Sequence, residues 1–330
     1  MDSMVFIEDI YDDSLESCTM LVLGDIICDK YIFGKAERLS PEAPVPVFLP
    51  VECEFRLGGA ANVFNNIKSL GVNAHLCGVV GNDKDGMDIA AMLNSLNNPC
   101  EYLLTVNDRP TTKKTRLVAS GHPLLRIDNE YICVIDEMAE TKVFDLISKN
   151  IELYDLLVVS DYKKGFCKRS LIEKIIDLFI GKGKKIIVDP KSDFYKYSGA
   201  YMIKPNLKEL SEFTGHNVSA DDLEMLSDIC KTVLEEGSFN YIYVTTGKNG
   251  GVIFGKDTGL KIIPPFGEAV ADVTGAGDTT LAALAVACAS GTDVIKAGNF
   301  ASFVAGISVS KMGTATVSKT DIIDYYSYFG

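Results

Sequence analysis

Short apolar runs that end in polar or glycine residues recur along the chain: MLVLGDIICD at 20–29, AHLCGVVG at 74–81, YDLLVVSDY at 154–162, KKIIVDPK at 184–191, AYMIKPN at 200–206 and YIYVTTG at 241–247. Runs this short, without a polar alternate, predict strands buried on both faces. Between most of them the apolar positions take helical spacing, over 60–70, 85–96, 137–149, 170–180 and 220–236. Strand and helix in alternation predict an α/β fold, a mostly parallel central sheet with helices on both faces. Such sheets take ligands at the carboxyl ends of their strands. Those ends carry Asp25, Asp29, Asp161, Asp189, Lys191, Asn206, Thr245 and Gly247.

Two stretches break the rhythm. Residues 30–56 hold four of the eleven prolines within ten positions, which excludes a helix and predicts extended edge-strand or polyproline-like structure. Residues 111–128, TTKKTRLVASGHPLLRID, predict a hairpin turning at 120–123. Together they form a small β lid, approximately 30–56 and 107–128, over the sheet's active edge. With no linker composition or repeat, one domain spanning 1–330 is expected.

Composition narrows the function. At 330 residues and 47% hydrophobic, the chain can bury a large core. A formal net charge of −13 argues against non-specific nucleic-acid binding, so any anionic ligand must meet local basic residues. The nine cysteines show no C-x-x-C pair and no zinc spacing, which predicts reduced thiols and a cytoplasmic location. The acidic segment 1–17 does not resemble a secretory leader and predicts a peripheral helix. The longest small-apolar run, 281–289, is far shorter than the roughly 20 residues a bilayer requires, so no membrane span is expected.

Two glycine segments carry the chemistry. In DVTGAGDTTLAALA, 272–285, Gly275 and Gly277 leave amides uncrowded at a helix start, where four N–H groups lack partners and the dipole is positive. That is an anion pocket. Asp278 there is either a first-turn residue complementing the dipole, worth about 0.3–1 kcal/mol, or a base beside the anion pocket. The helix it opens is apolar nearly all round, which favours a sheltered base taking a proton from a hydroxyl while a phosphoryl group sits alongside. In RLGGAANVFNNIKSLG, 56–71, Gly58 and Gly59 precede a helix with Asn62 near its start. They form either a close strand-to-helix turn or a site where a sugar approaches the backbone. There is no P-loop and no G-x-G-x-x-G after the first strand, which argues against a dinucleotide-binding oxidoreductase.

These two segments resemble the two signatures of the ribokinase-like, or PfkB, carbohydrate kinase family; the one departure is Phe64, where a small residue is usual. GDIICDKYIFGKAERLSPEAPVPVF, SDYKKG, IVDPKSDFYKYSGAYMIKPNLKEL and KMGTATVS resemble the branch that phosphorylates D-glycero-D-manno-heptose 7-phosphate, from about Met20 to Ser318. The resemblance implies a ribokinase-like fold, ATP and Mg²⁺ as cofactors and a sugar phosphate as substrate. The lid is expected to close on the sugar and to pair with a second subunit's lid in a homodimer, which protects its strand edges. It implies Asp278 as catalytic base and Gly275, Ala276 and Gly277 as the anion hole. Asn206, Leu207, Lys208 and Glu209 match the N-x-x-E element, with Glu209 reaching the metal indirectly through water or phosphate. Thr245, Gly247 and Asn299 fall where the nucleotide is held, and Asp29, Gly58, Gly59 and Asn62 match sugar-contacting positions. His122 and Pro123 stand where that branch has Gln-Gln.

For the substrate's own phosphate the candidates are Lys164, Lys191, Arg116 and Arg126, each otherwise an ordinary surface or ion-paired residue. Lys164 and Lys191 are favoured because they follow apolar strands. His75 and His216 read as structural or surface. With no H-x-G-H motif, a stand-alone kinase is expected. The rivals are a kinase of the same family acting on fructose 6-phosphate, ribose or a nucleoside, and a catalytically silent sugar-phosphate-binding regulator.

Overall fold

The computed structural model describes residues 7–11, 13–267, 272–311 and 316–329. In chain order the strands are β1 Thr19–Gly24, β2 Ile26–Leu39, β3 Pro46–Gly59, β4 Asn73–Gly81, β5 Leu103–Val106, β6 Lys113–Ala119, β7 His122–Asn129, β8 Leu156–Ser160, β9 Lys185–Asp189, β10 Met202–Ile203, β11 Tyr241–Thr245, β12 Gly251–Gly255 and β13 Gly259–Ile263. Nine of them form the main sheet, ordered β13-β12-β11-β10-β9-β8-β1-β4-β5. From β11 to β5 every pairing is parallel, while β12 and β13 close the far edge antiparallel.

The two-residue period of a strand divides the core. Met20 and Val22 of β1 join one apolar cluster, with the helices Ala60–Ser69, Ala276–Ala289 and Val294–Val309. Leu21 and Leu23 join the other, with Glu137–Lys149, Arg169–Gly181 and Leu223–Glu236. This is the α/β architecture, a mostly parallel sheet with helices on both faces, that the alternation predicts. Helix Ala276–Ala289 is buried almost all round because it lies between its neighbours Ala60–Ser69 and Val294–Val309, which explains its lack of a polar face.

Register brings the strand ends level. Gly24 pairs with Ser160 and Ser160 with Asp189, so Asp25, Asp161 and Asp189 lie along one edge. An isolated bridge from Asn206 to Thr245 extends that edge.

A second, four-stranded sheet, ordered β3-β2-β6-β7, forms where the sequence places the lid. Its β6–β7 turn is tighter than expected: Ser120 (φ 50°) and Gly121 (φ 81°) make it alone, and β7 already begins at His122. Pro50 lies in β3, an edge strand, beside a register shift, a place where a missing N–H is tolerated. Helix Leu223–Glu236 starts later than its apolar pattern does, because the Asp222 side chain caps it by accepting from Met225 N–H at 3.0 Å. Of segment 1–17, Ile7–Ile10 and Asp13–Ser17 are short helices, with Ile7, Ile10 and Leu15 buried in the core; residues 1–6 and 12 lie outside the described residues, as do 312–315 of the KMGTATVS stretch. Phe64 is fully buried in the same core cluster.

Candidate active site

Gly275 adopts φ 83° to turn the chain into helix Ala276–Ala289, and no side chain caps that helix. The turn is braced locally. Thr274 donates from N and Oγ1 to Asp272 Oδ1 at 2.9 and 2.7 Å, and Ala276 N–H bonds Val273 O at 3.2 Å. The Ala276 amide is therefore already occupied. Asp278 does not act as a solvated first-turn charge: it is only 5% exposed, and its carboxylate faces inward. Oδ1 accepts from the Tyr162 hydroxyl at 2.6 Å and Oδ2 from Asn62 Nδ2 at 2.9 Å. Burial pushes the Asp278 carboxyl up to about 6, against the opposing pull of the Tyr162 and Asn62 hydrogen bonds; Asp189 adds to the rise and Lys204 reduces it.

The segment before this helix is a wall between two cavities. Val273, Ala276, Gly277 and Thr280 line one of about 470 Å³, which Thr245, Gly247, Ser302 and Gly306 complete. Asp272 and Thr274 line the other, about 430 Å³, beneath the lid with Tyr31, Arg56, Arg116 and Arg126. A third and larger hollow, about 840 Å³, lies between Phe213, Met225 and Glu236 and contains none of the strand-end residues.

Asn206 and Glu209 form a reciprocal capping box on helix Leu207–Thr214: Asn206 Oδ1 accepts from Glu209 N–H at 2.8 Å, and Glu209 Oε2 from Asn206 N–H at 2.9 Å. Glu209 Oε1 meets Lys191 Nζ at 2.6 Å. Lys191 lies 3.8 Å from Asp189 Oδ1, a buried atom with no hydrogen-bond partner among the described residues. The other Asp189 oxygen pairs with the buried Lys204 at 3.0 Å, and a Cβ added to Gly277 would sit 3.9 Å from Lys204 Nζ. A buried cation thus underlies the amide turn.

On the lid side, Asp29 is buried and ion-paired with Arg116. Gly58 is glycine because a Cβ would come 2.5 Å from Asp29 Oδ2; Gly59, at φ 59°, would meet Asp25 O at the same distance. A buried carboxylate thus crowds Gly58, and the backbone crowds Gly59. Both ends of the Asn62 amide have protein partners, Nδ2 donating to Asp278 and Oδ1 accepting from Asn66 at 3.1 Å.

Of the basic candidates, Arg116 and Arg126 line the lid cavity, while the favoured lysines do not: Lys164 pairs with Glu130 at 2.8 Å and Lys191 with Glu209. Following a strand brought them to the right edge, but nearby acids hold both ammonium groups. Lys208 is exposed and faces Glu212, and Leu207 packs on the core. Asn299, expected where a nucleotide is held, does not line the 470 Å³ cavity, whereas Ser302 and Gly306 one and two turns on do. Sequence reasoning missed Tyr162, Arg56 and Lys204 as site residues. Tyr162 and Lys204 lie inside stretches already singled out, SDYKKG and AYMIKPN, but only the fold reveals their partners.

A deep carboxylate, an uncapped helix start and paired cavities are the outline of a group-transfer site, and the sequence match decides the family. The model of the pfkB family carbohydrate kinases matches residues 19–321. The chain belongs to that family. It is a carbohydrate kinase by family, and its relatives include the bifunctional protein HldE of Nitratiruptor sp., 39% identical over 93% of this chain and 64% of that protein. The same-named protein of Pelobacter propionicus is 36% identical over 96% of this chain and 65% of its own length. The chain thus spans less than two thirds of these relatives. Among solved structures, phosphofructokinase-2 from Escherichia coli in complex with substrates and products superposes with TM-score 0.74 at 19% identity, covering 94% of this kinase and 98% of that chain. Ribokinase of Arabidopsis thaliana, complexed with ribose and ATP, gives TM-score 0.70 at 18% identity over 94% and 98%. Among the described residues no helix is long and apolar enough to cross a membrane.

Proposed function

We propose that this chain, as one kinase domain with a lid, transfers the γ-phosphoryl group of ATP to the anomeric hydroxyl of D-glycero-D-manno-heptose 7-phosphate, in cytoplasmic ADP-heptose biosynthesis. The observation that carries the reading is the segment 272–277, with a cavity on each side, followed in the first helical turn by the buried carboxylate of Asp278, which itself lines neither cavity. The sugar oxygen attacks the γ-phosphorus, Asp278 takes the hydroxyl proton, and ADP leaves; the products are the 1,7-bisphosphate and ADP. A base whose pKa lies near 6 is ionised at neutral pH yet basic enough to accept that proton.

The small residues Gly247, Ala305 and Gly306 leave a slot in the 470 Å³ cavity suited to a flat base, with the Gly277 turn at its inner end for phosphates and Lys204 beneath. The unpartnered Asp189 oxygen and the lone pairs of Glu209 suit a hard cation or its water ligands. When bound, Mg²⁺ supplies charge neutralisation on the nucleotide phosphates. Arg56, Arg116 and Arg126 bring three guanidinium groups to the lid cavity in a chain of net charge −13; each is paired with a carboxylate, Glu54, Asp29 and Asp128, and the remaining N–H donors of these forked groups suit the substrate's phosphate. The exposed apolar residues Leu49, Val51 and Ile127 of the lid suit pairing with a second copy.

Incubating the protein with ATP, Mg²⁺ and a panel of sugars and sugar phosphates, and measuring ADP, tests the reading. Heptose 7-phosphate is expected to give the highest kcat/KM. A higher value for fructose 6-phosphate, ribose or a nucleoside assigns another branch of the family, and no ADP with any sugar leaves a binding protein.

A further inference from the structure

We infer that Tyr162 is a positioning residue for the base, its hydroxyl fixing the Asp278 carboxylate in the orientation from which it takes the sugar's proton; the inference rests on the kinase reading above. The loop after β8 is built to aim that hydroxyl. At the end of the adjacent strand, the Asp25 carboxylate accepts the N–H groups of Tyr162 (3.0 Å), Lys164 (2.9 Å) and Phe166 (3.1 Å), with Arg109 at 3.8 Å. Three alternate amides on one buried carboxylate bend residues 162–166 into an arc. Two positive-φ residues complete it: Lys163 at 57° and Gly165 at 101°, where any Cβ would overlap the Cys133 carbonyl. Asp161 anchors the arc's start, accepting from Lys163 N–H, Lys196 Nζ and the Tyr197 hydroxyl, each at 2.7 Å.

The arc directs Tyr162 inward. Its ring lies 5.1 Å from Lys191 Nζ, and its hydroxyl donates to Asp278 Oδ1 at 2.6 Å. Asn62, from a different element, holds Oδ2. Two donors from two directions stop the carboxylate from rotating, and each oxygen keeps a lone pair for the incoming hydroxyl. The charged groups facing this pair are Asp189 and Lys204 around Asp278, with Lys191 and Asp29 nearer Tyr162. A donor to the ionised form favours it, so removing the hydroxyl makes Asp278 less acidic.

Tyr162→Phe keeps the ring under Lys191 and deletes only the hydroxyl. The acidic limb of kcat/KM against pH is expected to move up by about one unit, since a hydrogen bond to a charged group is worth about that much. KM for ATP should stay unchanged. A purely structural role lowers the whole profile without moving the limb, and that result overturns the inference. Titration of ¹³Cγ-aspartate resonances, with Asp278→Asn as the assignment control, reads the same shift without turnover. It therefore still decides the matter if no sugar proves to be a substrate, which would sink the kinase reading alone. If the Phe variant does not fold, 3-fluorotyrosine at position 162, a stronger donor, is expected to lower the pH midpoint of the Asp278 titration, and an unchanged midpoint contradicts the inference.

Discussion

Burying a carboxylate costs stability even where it serves chemistry. Asp278 has a folded-state pKa of about 6 against an ordinary 3.8, so the native state takes up its proton at higher pH than the unfolded chain. Its contribution is therefore unfavourable above pH 6 and is relieved as pH falls from about 6 towards 4. Two units correspond to roughly 3 kcal/mol at neutral pH. Asp278→Asn is expected to raise the urea-unfolding free energy at pH 7.5 by about 1–3 kcal/mol, with the gain shrinking at pH 5. A variant equally or less stable at both values contradicts a desolvated anion. Gly59→Ala should act in the opposite sense, losing about 1–3 kcal/mol, because φ 59° and the Asp25 carbonyl both oppose a Cβ; the same unfolding experiment measures it.

At the scale of elements, the lid strands bring together what the linear pattern separates. Arg56 and Arg116 stand 4.6 and 5.2 Å from the Tyr31 ring, and their carboxylate partners are Glu54 and Asp29. Stacking and pairing hold both guanidinium groups at the cavity wall. Arg56→Ala is expected to raise KM for the sugar phosphate about tenfold or more and to leave KM for ATP in place; steady-state kinetics with each substrate varied checks this, and equal effects on both count against a sugar-phosphate subsite. Six of the parallel strands were legible because each lies in a short apolar run; the seventh, β5, is partly exposed and was not. The antiparallel hairpin β12–β13 was not, since its second strand is half exposed and carries Lys261 and Ile262 outward. Asp278 was legible from a local motif, whereas its contact with Tyr162 joins positions 116 residues apart, and no spacing in the sequence encodes that. The preference for Lys164 and Lys191 rested on strand ends alone. It lacked the acids that the fold sets against them, Glu130 and Glu209.

For the whole molecule, a surface of net charge −13 disfavours non-specific self-association, so apolar residues left exposed on the lid stand out against it. The proposed dimer covers Val51 and Ile127, and its mass is expected in solution at micromolar concentration. Val51→Lys with Ile127→Lys should shift it to monomer; a wild-type monomer by light scattering removes the pairing. The central claim is that one buried carboxylate, next in the chain to the wall between the two cavities, accepts the proton during transfer, and removing that carboxylate tests it most directly. Single-turnover phosphoryl transfer from ATP to heptose 7-phosphate, with wild type and Asp278→Asn at equal nucleotide saturation, should fall by about 10² or more in the variant while nucleotide affinity barely changes. Transfer at an undiminished rate by Asp278→Asn contradicts it.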